Sequence, residues 1–157
     1  MSKATQAMIA LEKAGCAFEV LEYDYDATAK QLGMFAAAAV GVSPESVLKT
    51  LMLEADGKPI CVVVPVDRTV SLKKVAKLVG AKNAQMMPPA KAQKQTGYTV
   101  GGISPFGQKS RARVFLDETA MFHSQVVING GKRGVLIKVS PQEAQAVTSA
   151  QVADLLA

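Results

Sequence analysis

Three features predict one mixed α/β domain spanning residues 1–157. Short β-type runs are interspersed with segments of helical period, two adjacent runs are joined by a hairpin dipeptide, and no linker, repeat or low-complexity tract divides them. A chain of 157 residues buries roughly 70% of the surface its unfolded form exposes, so it needs no disulfide staples.

The elements follow in order. Ser2 to Ala14 has apolar residues at helical spacing, with Ser2 as cap and Gly15 as stop. AFEVLEYD alternates as a strand does. Leu32 to Val40 reads as a second helix stopped by Gly41, and Ser43-Pro44 as the cap and first position of another helical turn. VLKTLMLE and PICVVVP are strand-like and flank Asp56-Gly57, a hairpin signal. Ser71 opens SLKKVAKLVG, which places Leu72, Val75, Ala76 and Val79 on one helical face. NAQMM is a short strand, and PPAKAQKQTG begins with prolines and ends in glycine as a helix does. RVFLD, SQVVIN and GVLIKV are further strands, GGKR is the turn between the last two, and Ser140-Pro141 starts a closing helical segment.

Composition excludes several function classes. Two cysteines, Cys16 and Cys61, are too few for a disulfide framework or a multi-cysteine zinc site, and with His123 as the one histidine no metal or other cofactor is expected. No apolar run reaches membrane-spanning length and the start is an amphipathic helix rather than a signal peptide, so a reduced cytoplasmic setting with no membrane partner is expected. The net charge of +5 is uneven: residues 1–67 carry nine acids and five bases, whereas residues 68–113 carry ten bases and no acid. Such a stretch offers either a surface for phosphates or a set of solvated helix faces.

Lys49 is the most informative single residue. In a strand from Val47 to Glu54 it shares a face with Val47, Leu51 and Leu53, while Thr50 and Glu54 take the other. A lysine on the more apolar face must reach solvent along its stem or find a partner, and Leu48 and Met52 on the opposite face leave both readings open. GYTVGGISPFG places four glycines and a proline between Gly97 and Gly107, where a packed element would want side chains. It matches neither GxGxxG nor GxxxxGK[ST]. It is either a loop that presents amide donors to a ligand or a wide turn between core elements. GGKRG, from Gly130 to Gly134, is a hairpin turn that puts Lys132 and Arg133 where they could meet phosphate. Protein nucleophiles are scarce: His123 sits in ETAMFHS without evident partners, Cys61 in an apolar strand and Cys16 just past a helix end. Asp24 and Asp26, beside Tyr23 and Tyr25, read as a polar strand exit.

Taken in this order, Tyr23 in the first strand, LKTL with Lys49 and Thr50, TGYTVGGISPFG and the downstream GGKRG resemble the YbaK/EbsC family of aminoacyl-tRNA deacylases, related to the editing domain of bacterial prolyl-tRNA synthetases. The resemblance spans nearly the whole chain. It implies a mixed β-barrel-like sheet surrounded by helices, with a pocket between Lys49 and the loop from Gly101 to Pro105. It implies catalytic roles for Lys49, Gly101 and Gly102, and substrate contacts from Tyr23, Thr50, Ile103, Ser104, Pro105, Gly131, Lys132 and Arg133. The carboxylate-free stretch, with Lys73, Lys74 and Lys77, would face tRNA.

The implied activity is removal of cysteine from mischarged Cys-tRNA(Pro), in trans beside prolyl-tRNA synthetase, with the substrate thiol attacking its own ester. The alternatives are a deacylase for alanine or another small amino acid and a non-catalytic module binding tRNA or the synthetase. One region departs from the family pattern: in place of an HDP-like turn and a GxEAA segment the chain reads DYDATAKQLGMFAAAA, with Tyr25, Ala27 and Phe35 at those places.

Overall fold

The computed structural model describes residues 4–157, so the expected Ser2 cap lies outside the described residues. Helix α1 runs Gln6–Lys13 and is capped by Thr5, whose hydroxyl accepts from the Met8 N–H and donates to the Gly130 carbonyl. One side chain thus starts the helix and ties it to the sheet. Strand β1 is Glu19–Glu22 and helix α2 is Leu32–Val40, closed by Gly41 in the left-handed region at φ +71°. Pro44–Ser46 form one 3₁₀ turn without a side-chain cap from Ser43, shorter than the expected helical turn.

Strands β2, Val47–Ala55, and β3, Lys58–Pro65, form the predicted hairpin, with Asp56 and Gly57 both at positive φ as its two-residue turn demands. Helix α3, Leu72–Val79, is capped by the Ser71 hydroxyl. Strand β4 is Ala84–Met86, helix α4 is Pro89–Thr96 and strand β5 is Arg113–Asp117. Strands β6, Val126–Lys132, and β7, Val135–Val139, pair around a turn of Arg133 and Gly134 alone. Gly130, Gly131 and Lys132 therefore belong to β6, where a register shift between Asn129 and Lys132 absorbs them, rather than to the turn the sequence suggests. Helix α5, Pro141–Thr148, begins at the Ser140 cap, and a strand the sequence did not signal, β8, spans Gln151–Ala153.

All eight strands join one mixed sheet in the order β1-β7-β6-β2-β3-β5-β8, with β4 branching onto β2. Among the described residues no pairing joins β1 to β8, so the strand order is open at both ends. Helices cover both faces, and the strands are accordingly buried in continuous runs, β3 from Ile60 to Pro65. On one face Leu48, Met52, Cys61, Val63, Leu116, Ile128 and Ile137 pack under α1, α4 and α5. The other face is covered in two patches: Leu53, Val62, Val64 and Phe115 with α3, and Val47, Val127 and Leu136 with α2. No helix is long and apolar enough to cross a membrane among the described residues.

The C-terminal segment is fastened by Asp117, which is fully buried at the end of β5. Its carboxylate accepts from the Leu155 N–H at 2.9 Å and from the N–H and hydroxyl of Thr119. Lys74 adds an ion pair to Asp154 and a bond to the Leu156 carbonyl. Asp117→Ala leaves the Leu155 N–H unpaired in the interior and takes the partner from the part-buried Thr119 N–H, and should lower unfolding free energy by about 3 kcal/mol. Urea denaturation measures this, and a loss under about 1 kcal/mol would mean the tail is held by its strand pairing alone.

Candidate active site

The site arises from an interruption in the pairing of β2. On one edge β2 pairs with β3 from Leu48 to Ala55. On the other edge β6 reaches only Val47 and Leu48, and β4 only Leu53 to Ala55. The Val66 N–H donates to the Val47 carbonyl, and the hairpin closes on the Ala55–Lys58 pair, so odd-numbered residues of β2 bond to β3. Even-numbered ones turn their backbone groups to the other edge. Leu48 meets β6 there and the Met52 carbonyl takes the Met87 N–H at 3.0 Å. Thr50 lies between, with its backbone N–H and C=O facing an edge that has no strand beside it.

A cavity of about 350 Å³ occupies that gap. Residues 47–52 form its floor, and Tyr23, Tyr25, Leu32, Gly33, Ala36, Met86, Met87, Pro89, Ala92, Val100, Gly101, Ile103, Asn129 and Leu136 are among its walls. The lining is mostly apolar, with a few polar groups set into it, as ligand cavities are. Two of these groups lack partners. The Thr50 hydroxyl is buried without a hydrogen bond, on the face of β2 that carries Leu48 and Met52. Lys49 points to the opposite face, between the patch under α2 and the patch under α3. Its half-buried ammonium has no ion pair or hydrogen bond among the described residues. Burial pushes its pKa below the ordinary lysine value, and the Asp67 carboxylate opposes that shift through space.

The glycine-rich loop is shaped chiefly by protein neighbours. At Gly101, with φ +93°, a β-carbon would lie 2.6 Å from the Tyr25 hydroxyl. At Gly102 it would lie 2.9 Å from the backbone of Lys132 and Arg133. The absent side chains thus let the loop close on the β6–β7 hairpin and on Tyr25. The Gly102 N–H is taken by the Thr99 carbonyl, and the Gly101 carbonyl accepts from Asn129 Nδ2 at 3.1 Å. The Gly101 N–H has no protein partner among the described residues. Arg133 locks the arrangement: its Nε donates to the Val100 carbonyl at 2.9 Å, and its guanidinium lies 5.3 Å from the Tyr25 ring centroid.

Of the residues expected at the site, Tyr23, Lys49, Thr50, Gly101 and Ile103 line this cavity. Gly102 backs the loop from the hairpin side. Ser104 is fully buried, its hydroxyl accepting from the Phe106 N–H, and Pro105 lines a separate cavity near α5. Gly131 packs against Tyr98 and Thr5. Lys132 and Arg133 line a neighbouring cleft that shares Tyr23 with the main cavity. Lys73, Lys74 and Lys77 are exposed on α3, outside the cavity lining, and Lys74 is committed to Asp154.

Sequence reasoning missed Tyr25, Asn129 and the Met86-Met87 wall. Tyr25 carried a signal, because it lies in the segment that departs from the family pattern, and that segment also supplies Leu32, Gly33 and Ala36.

The lining contains no imidazole, thiol or carboxylate. Cys61 is buried with its thiol pushed up to about 12, and Cys16, which donates to Glu143 at 3.2 Å, is raised to about 11; burial is the main cause at both. Among the described residues no three His, Cys, Asp or Glu side chains gather to hold a metal ion.

Comparison with known proteins identifies related sequences and structures. Residues 27–147 match the aminoacyl-tRNA editing domain family. EbsC of Enterococcus faecalis, described as a candidate Cys-tRNA(Pro)/Cys-tRNA(Cys) deacylase, is 32% identical over 120 residues, which cover 76% of this chain and 73% of EbsC. A proline–tRNA ligase of Nitratidesulfovibrio vulgaris is 36% identical over 80 residues, 51% of this chain but 14% of the ligase. A crystal structure described as a candidate trans-editing enzyme for prolyl tRNA synthetase superposes with a TM-score of 0.87 at 28% identity, covering 99% of both chains. With its family match running from the segment before α2 to α5 and enclosing the open edge of β2, the chain belongs to the aminoacyl-tRNA editing domain family.

Proposed function

We propose that the protein is a trans-editing aminoacyl-tRNA deacylase that releases cysteine from mischarged Cys-tRNA(Pro), working beside prolyl-tRNA synthetase. The observation that carries this reading is the pair of unpartnered polar groups, the Lys49 ammonium and the Thr50 hydroxyl, in a mostly apolar cavity on an open strand edge. Buried polar groups without partners are rare and costly, and a bound ligand is the usual compensation. The aminoacyl ester and terminal adenosine would lie along β2. Thr50 would offer its hydroxyl and backbone groups, the Gly101 N–H would polarise the ester carbonyl, and Lys49 would meet the phosphate or ribose of the adenosine.

The reaction would draw on the substrate. With no imidazole, thiol or carboxylate in the lining, the sulfur of the bound cysteine attacks its own ester carbonyl. A C–S bond forms, the C–O bond to the ribose breaks, and the thiol proton ends on the departing hydroxyl. The product is a cyclic thioester of cysteine plus free tRNA. The cavity would contribute mainly by folding the side chain toward its carbonyl, a proximity effect that can supply much of the rate.

Lys49→Met keeps the aliphatic stem and deletes the charge. Deacylation of Cys-tRNA(Pro) should fall in kcat/KM by tens-fold, as loss of a charged hydrogen bond predicts. The melting temperature should hold or rise, because the depressed pKa of Lys49 marks its charged form as penalised by burial. A variant that melts lower and retains activity would make Lys49 a structural residue.

S-methylcysteinyl-tRNA(Pro) should bind with comparable affinity yet resist release, whereas the double variant Cys16→Ser with Cys61→Ser should keep most activity on the natural substrate. Fast turnover of the blocked ester, or of alanyl-tRNA(Pro), would assign the attack to water and the specificity to another small amino acid.

A further inference from the structure

A second cleft of about 460 Å³ lies beyond Lys49, on the face of the sheet left open between α2 and α3. Lys49, Leu32, Gly33 and Val66 line both it and the main cavity, so the two spaces are contiguous through the lysine. Their chemistry differs. Where the main cavity is largely apolar, the cleft adds Gln31, Asp67, Arg68 and Thr69. The backbone of 66–69 is fixed by three bonds: the Arg68 N–H donates to the Pro65 carbonyl, the Val66 N–H to the Val47 carbonyl, and the Ala157 N–H to the Thr69 carbonyl at 2.8 Å.

The side chain of Arg68 has no ion pair or hydrogen bond among the described residues and acts on Asp154 only through space. The ionic side chains lining the cleft are two cations, Lys49 and Arg68, and one anion, Asp67, while the Asp154 carboxylate that Arg68 reaches through space is already ion-paired with Lys74. One further negative charge would balance them. Gln31 to Met34, the N-cap and first turn of α2, also line the cleft, and the start of a helix favours an anion.

We propose that this cleft is the subsite for the nucleotide that precedes the terminal adenosine, with Arg68 binding the phosphodiester that joins the two. The inference rests on the main cavity being the seat of an aminoacylated adenosine. An RNA strand entering that cavity must leave it on some side, and a phosphodiester carries the single charge the cleft is short of. The planar guanidinium of Arg68 can donate two parallel hydrogen bonds to it. Gln31 and Thr69 are placed to meet the polar edge of the preceding base. Lys49 would then stand at the junction of the two subsites.

The test compares binding of adenosine with binding of the dinucleotide CpA by titration calorimetry. The native chain should bind CpA about tenfold more tightly. Arg68→Gln should erase that advantage, Arg68→Lys should keep part of it, and Lys58→Gln, a charge loss on the distant β2–β3 hairpin, should leave it intact. Equal affinity of the native chain for adenosine and CpA would overturn the proposal. So would an advantage that survives in Arg68→Gln, or one that Lys58→Gln reduces as much, since bulk charge would then explain it.

Release of cysteine from Cys-tRNA(Pro) by the native chain reports separately on the editing reading. An Arg68-dependent preference for CpA in a chain that releases nothing would keep the subsite and discard the reaction. Normal release without that preference would do the reverse.

Discussion

The structure turns on the unequal pairing of β2. A strand in the middle of a sheet normally spends its backbone groups on both neighbours, and β2 does so at its two ends. Between Leu48 and Met52 only β3 is beside it, so a short length of strand edge is held open inside the protein. Open edges at the rim of a sheet invite pairing with other chains. Here the edge is roofed by α4 and by the loop from Val100 to Ile103, which turns the unpaired backbone into the floor of a cavity. The continuous pairing of β2 with β3 keeps that floor rigid, and a rigid scaffold is what positions a ligand against fixed donors and acceptors.

The same interruption explains why Lys49 and Thr50 are neighbours in sequence yet serve two spaces. Alternation along a strand sends them to opposite faces. Thr50 faces the large core beneath α1, α4 and α5, where its hydroxyl is enclosed by the cavity. Lys49 emerges on the face where the coverings of α2 and α3 fail to meet. A fully roofed second face would have made an ammonium there too costly to keep, and a fully open one would have left its pKa ordinary. Partial cover yields a cation that is partly desolvated and has no ion pair or hydrogen bond among the described residues.

The glycine loop shows how close approach substitutes for side-chain packing. Gly102 lies on the backbone of the β6–β7 hairpin and Gly101 beneath the hydroxyl of Tyr25. Arg133 spans both contacts with a hydrogen bond to Val100 and its position over the Tyr25 ring. The two glycine motifs, about thirty residues apart in sequence, are thus halves of one joint. The Lys132 backbone and Arg133 lie behind a loop whose other side faces the cavity.

Much of this was legible in the sequence because it depends on neighbours along the chain. Ser71 and Ser140 announce their helices, Asp56-Gly57 announces its hairpin, and Gly41 closes α2; each is a local backbone requirement that a residue type satisfies on its own. The order of LKTL, GGISP and GGKRG likewise pointed to Lys49, Thr50 and Gly101. Tertiary structure alone decided that Gly102 packs on the hairpin, that Ser104 and Pro105 turn away into the core and a separate cavity, and that Lys74 is committed to Asp154. It also decided which side chains share the cavity, since Tyr25, Met86 and Asn129 come from three segments with no common local pattern. The physical reason is that a strand sequence specifies what each face can bury but not which neighbours its two edges will meet. The site exists where one of those edges meets none.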